Sequence, residues 1–67
     1  MQTLHERLKE LRQEKDLYQA DMAKQLGVKQ PTIAGWESGD HTPSLDMLIT
    51  LAKFFNCTLG YLVGIED

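Results

Sequence analysis

Cysteine and histidine are scarce in this sequence, which contains one cysteine and two histidines. A single cysteine cannot form an internal disulfide, and the spacing of these residues matches no zinc-ligand pattern. An enzyme would need Cys57, His5 or His41 to converge with a carboxylate, and nothing in the sequence indicates that they do. We therefore expect no metal, no cofactor and no enzymatic activity.

These three residues have simpler interpretations. Cys57 lies between apolar neighbours and is expected to be a small core residue. His5, on a charged helix, and His41, in a polar loop, are expected to be solvated. His41 could still meet a phosphate, because its loop should lie beside the third helix.

Long apolar runs are also missing. The longest, residues 59–65, is interrupted by Gly60 and Gly64, and it is far shorter than the roughly 20 residues that span a bilayer. The first ten residues contain no apolar segment typical of a secretory signal. We expect a cytoplasmic protein with no membrane partner.

An excess of basic charge is missing as well, since the chain has 7 basic and 10 acidic residues and a net charge of −3. Domains that bind nucleic acid usually carry a basic surface, so the composition argues mildly against that partner. It keeps open a second class of function, a protein-interaction module such as an antitoxin or a subunit of a larger complex.

Helical periodicity is the pattern that is present. Thr3 and Glu6 fit a capping box, and Ser44 and Thr58 are suitable N-caps for later helices. No alternation of period two is long enough for a strand. The sequence predicts an all-α fold, one compact five-helix bundle over residues 1–67. The predicted helices cover about residues 4–15, 19–26, 30–39, 45–55 and 59–63.

The segment from Gln19 to Gly39 predicts a helix-turn-helix formed by the second and third helices. Ala23 allows two crossing helices to approach closely, and Gly27 can end the first of them in a left-handed conformation. Ile33 and Trp36, three residues apart, then lie on one face of the third helix and close the core beneath it.

Polar side chains surround the start of the third helix on its exposed side: Gln19, Lys29, Gln30 and Thr32. A helix N-terminus directs free N–H groups and partial positive charge outward, which suits a phosphate or the acceptors of a base edge. Glutamine can pair with adenine N6 and N7 in the major groove. The alternative is an ordinary solvated surface.

From Leu8 to Gly64 the chain resembles the Cro/repressor-type, Xre-like helix-turn-helix regulators. The residues that carry the resemblance are LKELR (8–12), YQADMAKQLGV (18–28), TIAGWESG (32–39), TPSLDMLITLAKFF (42–55) and GYLVG (60–64). The resemblance implies a five-helix domain that binds double-stranded DNA as a homodimer, with its third helix in the major groove.

The resemblance also implies roles for individual residues. Gln19 would contact a phosphate and brace Gln30, the first residue of the recognition helix. Arg12 and Glu37 would join the first and third helices as a salt bridge; the alternative is two exposed charges. Pro31, Thr32 and Gly35 match other positions that face DNA. With the neighbouring polar residues, the predicted DNA-binding set is Gln19, Lys29, Gln30, Pro31, Thr32, Gly35, Ser38, His41 and Thr42. Tyr18 stands where such proteins usually have a capping Ser or Thr.

The C-terminal segment 57–65 has more apolar side chains than a short helix can bury, which indicates an interface between two copies. The candidate residues are Cys57, Leu59, Tyr61, Leu62, Val63 and Ile65. The alternative is that this segment caps the core. Our preferred hypothesis is a repressor that binds a pseudo-palindromic operator as a homodimer.

Overall fold

In the computed structural model, residues 3–66 are described, so residues 1, 2 and 67 of the predicted domain lie outside the described range. Within that range the chain forms five helices and no strand, which confirms the all-α prediction. The helices are α1 (Leu4–Glu14), α2 (Gln19–Leu26), α3 (Gln30–Ser38), α4 (Leu45–Phe54) and α5 (Leu59–Val63). None of them is both long and apolar enough to cross a membrane.

The predicted capping box begins α1. The hydroxyl of Thr3 accepts from the backbone N–H of Glu6 at 3.2 Å, and the Glu6 carboxylate accepts from the N–H of Thr3 at 3.1 Å. The hydrogen bond from the Thr3 N–H, with a second from the Thr3 hydroxyl, holds the pKa of the Glu6 carboxyl below its ordinary value. Ser44 and Thr58 cap α4 and α5 in the predicted way.

The start of α2 has a weaker arrangement. Tyr18 supplies no side-chain cap to the described helix, as expected for a residue without a short hydroxyl. Asp21 reaches back instead, and its carboxylate accepts from the Tyr18 N–H at 3.0 Å. Half of a capping box is therefore kept.

Residues with a left-handed backbone conformation follow α1 and α2, as the sequence predicted. Gly27, after α2, has φ +73°, a conformation that costs glycine little because it has no Cβ. Asp16, after α1, has φ +56°, and Asp is among the non-glycine residues that tolerate this region. The turn that follows Gly27 brings α3 across α2.

The core lies beneath α3, where Ile33 and Trp36 are buried as predicted. Ala23 is buried on α2, consistent with its predicted place at the crossing of the two helices. Contributions from the other helices complete the cluster: Leu8, Met22, Leu51, Ala52 and Leu62. Because the core holds one side of α3, its opposite side faces outward.

Two polar residues of α1 differ from expectation. Arg7 is buried; its Nη1 donates to the carbonyl of Tyr61 at 2.9 Å, and its guanidinium lies 3.9 Å from the centre of the Tyr61 ring. His5 is half-buried, and its Nδ1 donates to the carbonyl of Trp36 at 2.7 Å. The prediction that His5 is solvated was wrong, because the end of α3 packs against it; Arg7 is buried because α5 packs against it.

Candidate nucleic-acid interface

The outward side of α3 is the surface that the helix-turn-helix leaves free. Gln30, Pro31 and Ser38 are exposed, whereas Ile33 and Trp36 on the other side are buried. Pro31 lies in the first turn, where its missing N–H would have had no helical partner. Lys29 is the exposed residue immediately before the helix.

The ion pair implied by the resemblance is present between α1 and α3. Arg12 Nε lies 2.7 Å from Glu37 Oε2, and Arg12 Nη2 donates to Glu37 Oε1 at 2.9 Å. Arg12 Nη1 donates to the carbonyl of Leu17 at 2.8 Å. The Arg12 and Glu37 side chains are only 10% and 4% exposed. A bidentate pair of this kind restricts the direction of both side chains.

Glutamine side chains extend the ion pair to the start of α3. Gln19 Nε2 donates to Glu37 Oε1 at 3.1 Å, which directs the Gln19 carbonyl away from the pair. Gln30 Nε2 points to that carbonyl, Gln19 Oε1, at 3.5 Å, a weak contact longer than the roughly 2.7–3.2 Å usual for N–H···O hydrogen bonds. A continuous chain of polar contacts therefore runs from Arg12 to Gln30.

Gln30 retains hydrogen-bonding groups beyond this network. A primary amide has one carbonyl oxygen and two N–H groups, and Gln30 directs one N–H to Gln19. Its side chain is exposed on the outward side of α3. The arrangement can present a donor and an acceptor together, the combination that reads an adenine edge.

The positive charge available at this surface is smaller than the composition suggests. Of the 7 basic residues, the two arginines are buried inside the fold, at positions 7 and 12. The hydrogen bond to Glu37 raises the pKa of Arg12, and the pair is electrically neutral. Exposed positive charge therefore comes from the five lysines, with Lys29 alone adjoining the start of α3.

The loop after α3 lies against the outward side of the helix. His41 and Thr42 are exposed there, as expected. Gly35 is instead buried, although the resemblance places it at a DNA-facing position, because the imidazole of His41 covers it. The sequence contains no signal for this contact between a helix position and a residue six places later.

The predicted association segment is partly exposed. Ile65 is 78% and Leu59 is 36% exposed, and Cys57, Tyr61 and Val63 are half-buried. Leu62 is fully buried in the core, so its predicted place on an association surface was wrong. It points inward from α5, and it caps the core in the way that the alternative interpretation described.

Two apolar residues of α4 were missed as surface candidates. Leu45 is 63% and Ile49 is 41% exposed. Their spacing of four residues places them side by side on the helix, at the edge of the buried stripe that includes Ala52. Helical spacing alone does not separate them from the buried side, because Leu45 and Ile49 precede Ala52 by seven and three residues.

The Cys57 side chain is half-buried and packs against the core. Its partial burial raises its pKa, and the nearby charge of Arg7 opposes this with a smaller effect. Between residues 3 and 66, no group of three or more His, Cys, Asp or Glu residues is arranged to hold a metal ion.

Comparison with known proteins places this geometry in a family. The model of a family described as helix-turn-helix matches residues 8–62. The HTH-type transcriptional activator BcrR of Enterococcus faecalis is 38% identical over 63 residues, which are 94% of this chain and 31% of BcrR. The cryptic phage CTXphi transcriptional repressor RstR of Vibrio cholerae is 35% identical over 87% of this chain and 52% of its own length.

A solved structure has the same fold. The P22 c2 repressor, crystallised with the synthetic operator 9T in the presence of Tl+, matches with a TM-score of 0.88 and 29% identity over 98% of this chain and 100% of that one. The chain therefore belongs to the Cro/repressor-type helix-turn-helix family of DNA-binding transcriptional regulators. It spans about half or less of the length of the two curated relatives named above.

Proposed function

We propose that this chain is a sequence-specific DNA-binding domain of a transcriptional regulator, and that it inserts α3 into the major groove. The observation that carries the proposal is the placement of Gln30. This side chain lies at the exposed start of α3 and is tied through Gln19 and Glu37 to a buried arginine on α1. The contact with Gln19 favours one direction of the Gln30 side chain, which reduces the conformational freedom that binding removes.

Each group at the interface has a proposed role. Gln30 reads an adenine edge, and Thr32 contacts a neighbouring base. Gln19, Lys29 and Thr42 contact phosphates, which position the domain without reading sequence. Pro31 and Ser38 lie at the protein surface that approaches the groove. Arg12 and Glu37 hold α3 at its angle to α1 and do not touch DNA.

We propose further that the protein is a repressor that acts as a homodimer. The P22 c2 and RstR proteins are repressors, which supports this choice, whereas BcrR is an activator. A dimer would bind a pseudo-palindrome whose half-sites lie about 34–36 Å apart. The exposed Leu59 and Ile65, with half-buried Tyr61 and Val63, supply apolar surface for association.

Selection from a random duplex library at low salt tests the proposal. We expect a retained sequence with two related half-sites, and Gln30→Ala should weaken discrimination at one base pair by about 1–3 kcal/mol. Lys53→Ala, an exposed substitution on α4, is the matched control and should leave the selected sequence unchanged. A Gln30→Ala protein with unaltered specificity would remove Gln30 from its role.

The second candidate is a protein-interaction module that keeps this fold. The burial of both arginines and the exposure of Leu45 and Ile49 favour it, because they reduce the charge offered to DNA and add apolar surface. Fluorescence anisotropy against a random duplex pool separates the candidates. Absence of any retained duplex, together with a defined protein partner, would favour the module.

A further inference from the structure

Gly35 is an anomaly on the outward side of α3. It lies one helical turn after Pro31 and three residues before Ser38, and both of those residues are exposed. Gly35 is nevertheless buried. Since glycine has no side chain to pack inward, its burial means that another group covers the helix surface at this point.

That group is the imidazole of His41. A Cβ built on Gly35 would overlap Cδ2 of His41 and would lie 3.3 Å from both Cγ and Nε2. Favourable contact between carbon atoms needs about 3.5–4.0 Å. The ring therefore occupies the space that the side chain of any other residue at position 35 would need.

The backbone fixes His41 in this position. The carbonyl of Gly35 accepts from the N–H of Gly39 and from the N–H of His41, both at 3.1 Å. It also accepts from the Ser38 hydroxyl at 3.2 Å. The loop is thus attached to the same residue that the ring covers, which limits the positions that the exposed imidazole can take.

We propose that His41 supplies the side chain that Gly35 lacks on the outward side of α3, and that its ring nitrogen donates a hydrogen bond to an acceptor atom of the DNA. The inference rests on the proposed DNA-binding function. The acceptor is a phosphate oxygen or a purine atom in the groove, since an imidazole N–H can serve either. Gly35 is a positioning residue, because a larger residue displaces the ring.

A mutant cycle tests this arrangement. His41→Ala removes the ring, and Gly35→Ala displaces it while leaving it in the chain. We expect each substitution to weaken binding of the selected operator by about 3- to 10-fold, the effect of losing one hydrogen bond. The double substitution should weaken binding no more than either single one, because both act through the same contact.

Two further proteins serve as controls. Thr50→Ala changes an exposed side chain on α4 and should bind DNA as the wild type does. His41→Gln keeps a side-chain donor and should recover part of the lost affinity. Thermal melts by circular dichroism check that all variants fold. In the His41→Ala background, Gly35→Ala should raise the melting temperature, because alanine favours helix more than glycine and no ring opposes it.

The form of the loss identifies the acceptor. A phosphate contact predicts equal weakening for all sequences and a smaller salt slope, whereas a groove contact predicts altered preference at one base pair. Unchanged affinity and specificity in His41→Ala would overturn the inference while the proposed function stands. Additive losses in the double variant would overturn the role of Gly35. A wild-type chain that retains no duplex would overturn the proposed function and this inference together.

Discussion

Replacing Glu37 by alanine is the most informative perturbation of the fold, because it leaves Arg12 without its carboxylate partner. The two side chains are 10% and 4% exposed, so the pair lies in the buried class. Removing one partner of a buried pair costs about 3–5 kcal/mol, compared with about 0–1 kcal/mol for an exposed pair. Arg12 retains its hydrogen bond to Leu17, so we expect the lower end, about 3 kcal/mol.

That loss is large for a chain of this size. A 67-residue domain has a total stability of about 3–10 kcal/mol, at roughly 0.05–0.15 kcal/mol per residue. For small domains, 1 kcal/mol shifts the melting temperature by about 4–8 °C, so Glu37→Ala should lower it by about 12–24 °C. The variant is expected to be marginally folded at best.

Urea denaturation followed by circular dichroism and by Trp36 fluorescence provides the measurement. Glu14→Ala is the control, because Glu14 is an exposed acidic residue at the end of α1. Paired replacement of Arg12 and Glu37 by methionine and leucine should restore much of the stability, since it leaves no charge buried. If Glu37→Ala lowered the unfolding free energy by less than about 1 kcal/mol, the pair would contribute no more than an exposed ion pair, which would refute this reasoning.

Three further predictions concern salt, self-association and pH. Both arginines are buried, so few cations are available to contact phosphates. The logarithm of operator affinity should therefore fall with the logarithm of salt concentration at a slope well below the roughly 5 to 9 that about 6–10 phosphate contacts give. A salt titration of the affinity measures this slope, and a steep one would contradict the prediction. Ile65→Asp should weaken the proposed dimerisation without changing the melting temperature of the monomer, because Ile65 is 78% exposed. Analytical ultracentrifugation provides the test, with Lys53→Ala as control, and unchanged self-association would exclude Ile65 from the interface. The pKa of Glu6 is lowered in the fold, so its stabilisation is present above its ordinary pKa and is lost as the pH falls through the lowered value. The difference in unfolding free energy between the wild type and Glu6→Gln should therefore shrink on acidification. Urea denaturation at several pH values measures this difference, and a constant value would contradict the prediction.

Local patterns explain why most of the fold was predictable from the sequence. The caps at Thr3 and Ser44 and the helix ends at Asp16 and Gly27 depend on groups within a few residues, so their signals are contiguous. The buried Ile33 follows from helical periodicity in the same way. The resemblance to a known family added the pairing of helices that periodicity alone does not specify.

The candidate site was predictable to a smaller extent. Gln19 and Gln30 could be assigned to one surface because they belong to a motif with a fixed spacing, and the structure brings their side chains together. The burial of Arg7 against Tyr61 could not be read from α1, because a charged residue on a helix surface looks the same in sequence whether or not another helix covers it. The inward direction of Leu62 depended in the same way on how α5 packs.

The sequence by itself determined, to within about one residue, where the five helices begin and end and which side of α3 faces the core, because these depend on local conformational preference and helical period. Only the tertiary structure decided which polar side chains remain at the surface. It buries Arg12 beside Glu37 and seats His41 on Gly35. Both contacts join residues from different elements, and their geometry depends on how whole helices and loops pack together.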